Sequence, residues 1–314
     1  MASNESGIGI TVTILGTSSA TPTRKRGLSG TVLIREGETF LFDCGEGTQF
    51  KLLEAGIPRR KFHHIFISHL HGDHIFGLGG LISTLNLGGR EIPLHIHGPR
   101  GIKRFVDFMV SFPRPTRLKF PLHVYDLAPN HTGVVWEERD WVISSAPLDH
   151  TLPALGYRFQ ERDRPGFFND ELAEELGVPF GPERGRLIRG ESITLKDGSV
   201  VHPETVVGEP RRGKSVVYCT DTAYCERSIN LARHADLLIH EATFSDEDQD
   251  MARDRKHSTI REAATVASRA NVRKFVATHF STRYEGGMLK QLKSEGREVF
   301  PDLIMAKDLM EIVI

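Results

Sequence analysis

The chain has 314 residues, 39% hydrophobic and 26% charged, with a formal net charge of −1 at pH 7. That composition excludes a disordered, collagen-like or low-complexity chain and leaves one large globular domain or two small ones. No apolar run reaches the roughly 18 residues of a membrane span, and residues 1–9 lack the basic region and apolar core of a secretory signal, so a cytoplasmic location is expected. Cys44, Cys219 and Cys225 give no even framework and are expected as reduced thiols. Net charge near zero does not exclude nucleic acid, because basic residues cluster locally at Arg24-Lys25-Arg26, Arg59-Arg60-Lys61, Arg184/Arg186/Arg189 and Arg211-Arg212-Lys214.

Residues 8–15 alternate β-branched and small side chains, which predicts a strand, and Gly16-Thr17-Ser18-Ser19-Ala20-Thr21-Pro22 predicts a small-residue turn. Residues 31–35 and 39–42 read as strands joined by Glu36-Gly37-Glu38, and a helix over 49–55 closes at Gly56. An apolar, β-prone run at 65–67 then leads straight into Ser68-His69-Leu70-His71-Gly72-Asp73-His74, before an apolar-periodic helix over 75–85. In extended chain, residues two apart point the same way, so His69 and His71 can grip one ion while Gly72 lets the backbone turn. Asp73 and His74 then face elsewhere and can hold a second ion. Neutral imidazoles with a hard carboxylate suit zinc, with manganese or iron as the alternatives, and no cysteine stands here to close a structural site.

Further strands are predicted at 94–97, 122–126, 134–136 and 141–144, with a helix over 101–111, and the last of these strands leads to His150. Strands at 215–220, 236–239 and 274–278 end at Asp221, at His240-Glu241 and at His279. Five times an apolar strand ends in a residue able to bind or serve a metal, which is where sheet proteins build active sites. Between 159 and 214 the alternation stops. That segment is rich in charge, Gly and Pro, with a short helix over 169–176 stopped by Gly177, a Gly/Pro-containing run over 181–190 and an Asp197-Gly198 hairpin turn. It reads as an insertion projecting from the core, ordered by Phe167, Phe168, Val178 and Phe180, with arginines suited to phosphate. Thr259 and Glu262 predict a capping box for a helix through Ala270, which puts His257 just before a helix start.

These residues suffice for two ions: His69, His71 and His150 for one, Asp73, His74 and His279 for the other, with Asp221 between them. A metal pair about 3.5 to 4 Å apart lowers the pKa of a bridging water and stabilises a leaving oxygen. Asp73 is the residue best placed to orient or deprotonate that water, and His257 held by Glu241 is the candidate general acid.

The Ser-His-Leu-His-Gly-Asp-His stretch at 68–74, with His150, Asp221 and His279 at strand ends, resembles the metallo-β-lactamase superfamily. Nearly end to end, the chain resembles the ribonuclease Z family in its short form. The resemblance is carried by Gly16-Thr17-Ser18-Ser19-Ala20-Thr21-Pro22, Phe42-Asp43-Cys44-Gly45-Glu46-Gly47-Thr48-Gln49, Leu148-Asp149-His150, His240-Glu241-Ala242-Thr243 with His257, and Thr278-His279-Phe280-Ser281 with Arg283-Tyr284. It implies an α/β fold, the four-layer αββα sandwich, as a single domain over 1–314 with a flexible tRNA-binding arm inserted at 160–213. It further implies two zinc ions per subunit, a homodimer, and Glu241 and His257 as a proton-donor pair. Arg24, Lys25, Arg26, Arg184, Arg186, Arg189, Ser281 and Arg283 are the residues expected to bind substrate. The implied reaction cuts precursor tRNA just past the discriminator nucleotide, leaving a 3′-hydroxyl on the tRNA and a 5′-phosphate on the trailer. One departure is visible: the family often has Lys then Arg at alternate positions after Pro22, whereas here Arg24 and Arg26 flank Lys25. Two rivals use the same residues differently, a metal-dependent hydrolase of small phosphodiesters or other small esters, and a non-catalytic RNA-binding subunit.

Overall fold

The computed structural model describes residues 9–58, 62–112 and 116–314, so Ile8, with the rest of the stretch read against a secretory signal, and the Arg59-Arg60-Lys61 cluster lie outside it. Among the described residues no helix is long and apolar enough to cross a membrane. The chain divides into two compact units, the smaller made of Arg139–Trp141 and Gln160–Lys214.

The larger unit is built on two seven-stranded sheets. The first takes β1 (Thr11–Gly16), β2 (Gly30–Arg35), β3 (Glu38–Phe42), β4 (Phe62–Phe66), β5 (Leu94–Pro99) and β6 (Leu122–Leu127). The second begins with β7 (Gly133–Glu137), β8 (Trp141–Leu148) and β9 (Ala154–Glu161). In the smaller unit β10 (Ile193–Thr194) and β11 (Val200–Val201) pair by themselves. The second sheet is then completed by β12 (Ser215–Cys219), β13 (Leu237–Glu241), β14 (Lys274–Thr278) and β15 (Ile304–Met305), and β16 (Met310–Val313) returns to the first. The sheet orders are β16-β1-β2-β3-β4-β5-β6 and β15-β14-β13-β12-β9-β8-β7.

Of the parallel strands, β12 and β13 are buried along their whole length and β14 nearly so because both faces are covered, whereas the edge strand β6 is half-buried to exposed throughout. Ile65 of β4 packs with Leu52, Leu81, Leu85 and Val106 of the helices Thr48–Glu54, Gly77–Leu87 and Ile102–Ser111. On the second sheet Val217 and Phe275 pack with Ile229, Ala263, Ala267 and Leu292 of the helices Glu226–Ala232, Ile260–Arg269 and Gly287–Arg297. Aromatic rings fill the space between the sheets: Phe40 meets Phe159 at 5.3 Å, Phe42 meets Tyr218 at 5.6 Å and Phe66 meets Tyr157 at 5.4 Å between centroids. Helix, sheet, sheet, helix is the four-layer αββα order. The capping box at Thr259 and Glu262 forms as expected.

The smaller unit has a core of its own, with Ala173, Val178, Leu187, Ile193, Val201 and Val206 buried together. The turn at Asp197-Gly198 closes β10 onto β11, with Gly198 at φ 86°. The run over 181–190 carries an ordered helix, Pro182–Ile188, started by proline in its first turn.

One expected element is interrupted. The helix predicted over 75–85 is divided at Phe76 into Gly72–Ile75 and Gly77–Leu87. The Gly77 amide leaves the helical ladder to bond the Cys44 carbonyl at 2.9 Å, while the Cys44 amide bonds the His74 carbonyl at 2.8 Å. This clasp ties the turn after β3 to the turn after β4. It needs glycine at both ends: a Cβ on Gly45 would sit 2.3 Å from the Asp73 carbonyl oxygen, and one on Gly77 would sit 2.1 Å from the Gly45 carbonyl oxygen. Gly45→Ala and Gly77→Ala are each expected to lose about 1–3 kcal/mol of stability through forced backbone shifts. Urea denaturation measures this, and an unchanged midpoint would show that the clasp yields freely.

Candidate metal centre

The residues anticipated as ligands converge at the carboxyl ends of the strands. Ligand atoms of His69, His71, His150 and Asp221 lie within 4.8 Å of one another, as do those of Asp73, His74 and His279. Asp221 faces both groups. Its Oδ2 is 3.5 Å from His69 Nε2 and 3.8 Å from His150 Nε2, and its Oδ1 is 3.3 Å from His74 Nε2 and 3.2 Å from His279 Nε2.

Four of the five imidazoles, those of His69, His74, His150 and His279, are oriented by a bond on the nitrogen that faces away from the centre. His74 Nδ1 donates to Asp43 Oδ2 at 2.7 Å. Asp43 also accepts from the Ser68 amide at 2.7 Å, the Ser68 hydroxyl at 2.8 Å and the Tyr218 hydroxyl at 2.8 Å. Since Ser68 Oγ gives its proton to Asp43, it accepts from His69 Nδ1 at 3.0 Å. His150 Nδ1 donates to the Lys256 carbonyl at 2.9 Å, and His279 Nδ1 to Thr243 Oγ1 at 3.0 Å. The inward nitrogens of His74 and His279 are buried with no hydrogen-bond partner. Orphaned buried acceptors around a carboxylate are costly unless a cation completes them, so the donor set fits a divalent metal.

Electrostatics agree at three of the ligand histidines, while His74 holds a proton that a metal ion would displace. Burial lowers the pKa of His69, His71 and His150, keeping them neutral and able to ligate. Burial also disfavours charge on His74, but the Asp221 and Asp43 carboxylates outweigh it and hold that pKa well above the ordinary imidazole value. Burial would raise Asp73, yet His279 and His74 bring it below the usual carboxylate range, and the Ala20 amide donates to its Oδ2 at 2.9 Å. Asp43, Asp221 and His279 take left-handed backbone angles, φ 58°, 36° and 60°, just past the ends of β3, β12 and β14. Such conformations cost roughly 1–3 kcal/mol each and persist only where surrounding bonds fix them.

Glu241 and His257 meet beside the second group, His257 Nδ1 lying 2.7 Å from Glu241 Oε1. Glu241 is fully buried and also accepts from the Thr222 and Thr243 amides. Burial opposes a charge on His257, but Glu241 overrides it and raises the pKa to about 9; burial would raise Glu241, but His257 lowers it to about 2. The charged pair is therefore intact between those values. His257, Asp73, Asp221 and His279 line one cleft of about 510 Å³, together with Ser19 to Pro22 of the first turn.

The basic residues have varied surroundings. Arg24 and Lys25 are exposed, whereas Arg26 is buried and its guanidinium donates to the carbonyls of Phe280, Ser281 and Tyr284, bracing the loop after His279. Ser281 is half-buried. Arg283 is exposed, 3.1 Å from Asp248 and stacked over Phe244. In the smaller unit Arg184 pairs with Asp170 at 2.6 Å, and Arg186 and Arg189 both reach Glu191. Sequence reading did not single out Asp43, Ser68, Tyr218 or Thr243 as site residues. All but Tyr218 stand in motifs quoted above, but nothing in their spacing reveals which histidine they orient. All three cysteines are free.

The two facing sheets and the His/Asp centre at their strand ends define the class as a metallo-β-lactamase-fold protein with a divalent metal site, and a family model described as "Beta-lactamase superfamily domain" matches residues 204–280. A second, "Anti-Pycsar protein Apyc1", matches residues 10–98. The chain is 43% identical over 304 residues to ribonuclease Z of Crocosphaera subtropica, covering 95% of this chain and 96% of that one. It is 41% identical over 303 residues to ribonuclease Z of Anoxybacillus flavithermus, covering 96% of each. The crystal structure of human tRNase Z, short form, superposes with a TM-score of 0.70 at 28% identity, covering 96% of this chain and 98% of the other. The chain belongs to the ribonuclease Z family.

Because Asp43 orients His74 directly and His69 through Ser68, Asp43→Asn is expected to weaken divalent metal binding about 10- to 100-fold. Competition with a chromogenic chelator measures this. Unchanged affinity would mean the imidazoles hold their orientation without Asp43.

Proposed function

We propose that this chain is a zinc-dependent endoribonuclease that removes the 3′ trailer of precursor tRNA by one hydrolytic cut after the discriminator nucleotide. The proposal includes two zinc ions per subunit, a cytoplasmic location and a homodimer carrying an RNA-binding arm at 160–213. The observation that carries it is the pair of donor groups sharing Asp221, in a chain whose ribonuclease Z relatives match it over 95% of its length.

In this reading His69, His71 and His150 hold one ion, Asp73, His74 and His279 the other, and Asp221 both. When bound, the ions would supply Lewis acidity at the phosphate and lower the pKa of the attacking water. Asp73, fixed by the Ala20 amide, orients that water and accepts its proton. Attack at phosphorus breaks the bond to the 3′-oxygen, so the phosphate stays on the trailer. His257, with Nδ1 held by Glu241, donates from Nε2 to the departing oxygen. In the arm, Arg211 lies 4.2 Å from the ring of Phe167 and Arg184 5.2 Å from that of Phe180, aromatic and guanidinium planes of the kind on which bases stack. The exposed Phe50, Phe76, Phe108 and Phe112, on or beside helices of one layer, support a second copy as partner.

With a precursor tRNA carrying a short trailer, wild type is expected to make one cut beside the discriminator. Chelator should abolish it, and Asp73→Ala should reduce it by more than about a hundredfold, since a ligand is lost rather than a supporting group. End mapping of both products checks this, and turnover confined to small phosphodiesters would replace the RNA reading.

The rate of cleavage is expected to fall above about pH 9, where His257 loses the proton that Glu241 stabilises. In Glu241→Gln the main charge that raises it is gone while burial still lowers it and Asp221 raises it less, so the alkaline limb moves down, toward the ordinary imidazole value near 6.5. A kcat profile over pH 6–10 reads this directly, and coincident alkaline limbs would remove His257 from the proton-donor role.

A further inference from the structure

Arg184, Arg186, Arg189 and Arg283 are matched to carboxylates, as are Arg261 with Asp246 and Glu298 and Arg269 with Glu226. Lys290, Lys293, Arg297 and Lys307 differ. None has a side-chain partner among the described residues, and all four line one cleft of about 400 Å³ in the larger unit. Lys290, Lys293 and Arg297 stand at i, i+3 and i+7 of the helix Gly287–Arg297 and share one face. A separate face carries Glu295, which accepts from the Asp246 amide, and just past the helix Glu298 binds Arg261, so the basic face is not neutralised by its own helix. The floor is apolar, with Leu289, Met305 and Met310, and the half-buried Lys293 can run its stem along it while its ammonium stays in water.

The position of this cleft gives it meaning. His279 lines the catalytic cleft and its neighbour Phe280 lines the basic one. Lys307 follows β15, whose register pairs Met305 with Ala277, so it emerges at the sheet end that carries His279. Asp308, next to it, accepts from the Gly27 amide at 2.7 Å and from Thr17 Oγ1 at 2.9 Å. Those bonds join the cleft to the turn whose Ser19 to Pro22 line the catalytic side. In a chain of net charge −1, four unmatched cations beside the candidate metal centre are not a generic basic surface.

We propose that Lys290, Lys293, Arg297 and Lys307 bind the phosphodiester backbone of the RNA substrate alongside the catalytic cleft. The three helical positions span about 10 Å along the helix axis, enough for successive phosphates, and the apolar floor offers contact to the sugars between them. Lysine ammonium groups act here as point charges without base preference, so the contact positions RNA and reads no sequence. This rests on the nuclease reading and adds a binding surface to it.

The test compares wild type with a Lys290→Ala/Lys293→Ala/Arg297→Ala triple variant of the metal-loaded enzyme. Equilibrium binding of mature tRNA, which has no trailer to lose, is titrated from 50 to 300 mM salt beside steady-state cleavage of precursor tRNA and of bis(p-nitrophenyl) phosphate. The expected result is about tenfold weaker tRNA binding, a salt slope smaller by about 2 to 3, a raised KM with kcat kept, and unchanged turnover of the small diester. Lys290→Arg/Lys293→Arg should restore wild-type binding. Equal affinity and equal salt slope in the triple variant would overturn the proposal, whether the face is idle or serves an acidic peptide instead. A wild type that binds tRNA but does not cut the precursor would sink the nuclease reading, while the salt slopes still decide this one.

Discussion

A single buried carboxylate, Asp43, holds the centre to the fold. It sits just past β3 of the first sheet and takes a proton from Tyr218 of β12 in the second, so it ties the sheets together where both deliver ligands. The same two oxygens accept from Ser68 and His74, and through Ser68 set the tautomer of His69. A buried anion with four donors is affordable only because its partners satisfy it, and those partners are the elements that aim the imidazoles.

The left-handed turns at Asp43, Asp221 and His279 follow the same logic. Parallel strands run their carboxyl ends to one rim, but a strand alternates its side chains between faces and cannot by itself bend one into the space between two sheets. A positive φ at the first or second residue beyond the strand makes that bend. The conformational cost is offset by hydrogen bonds such as that between Thr243 and the His279 carbonyl, and by the attraction of Asp221 for the four imidazoles around it. The strain lies where ligands must converge.

The centre also separates two proton environments a few ångströms apart. His69, His71 and His150 are kept neutral by burial, while His257 in a similarly buried place is kept charged by Glu241. The difference is one carboxylate within hydrogen-bond distance, itself fixed by the Thr222 and Thr243 amides. One set of imidazoles can therefore offer lone pairs while another offers a proton.

What the sequence determined was local: apolar strands ending in His or Asp, the Thr259 capping box and the Asp197-Gly198 turn. These were legible because strand alternation, helix caps and turn residues act within a few positions of the chain. Tertiary structure alone decided the rest. The break at Phe76 depends on a bond from Gly77 to Cys44, 33 residues earlier, and β16 finds β1 across nearly the whole chain. Arg26 reads as one of three adjacent basic residues, yet its guanidinium is spent on carbonyls more than 250 residues away. Asp43 and Tyr218 acquire their roles only when two sheets face each other, and Thr243 only when β13 pairs with β14, because hydrogen-bond geometry between distant segments leaves no periodic trace in the residues that make it.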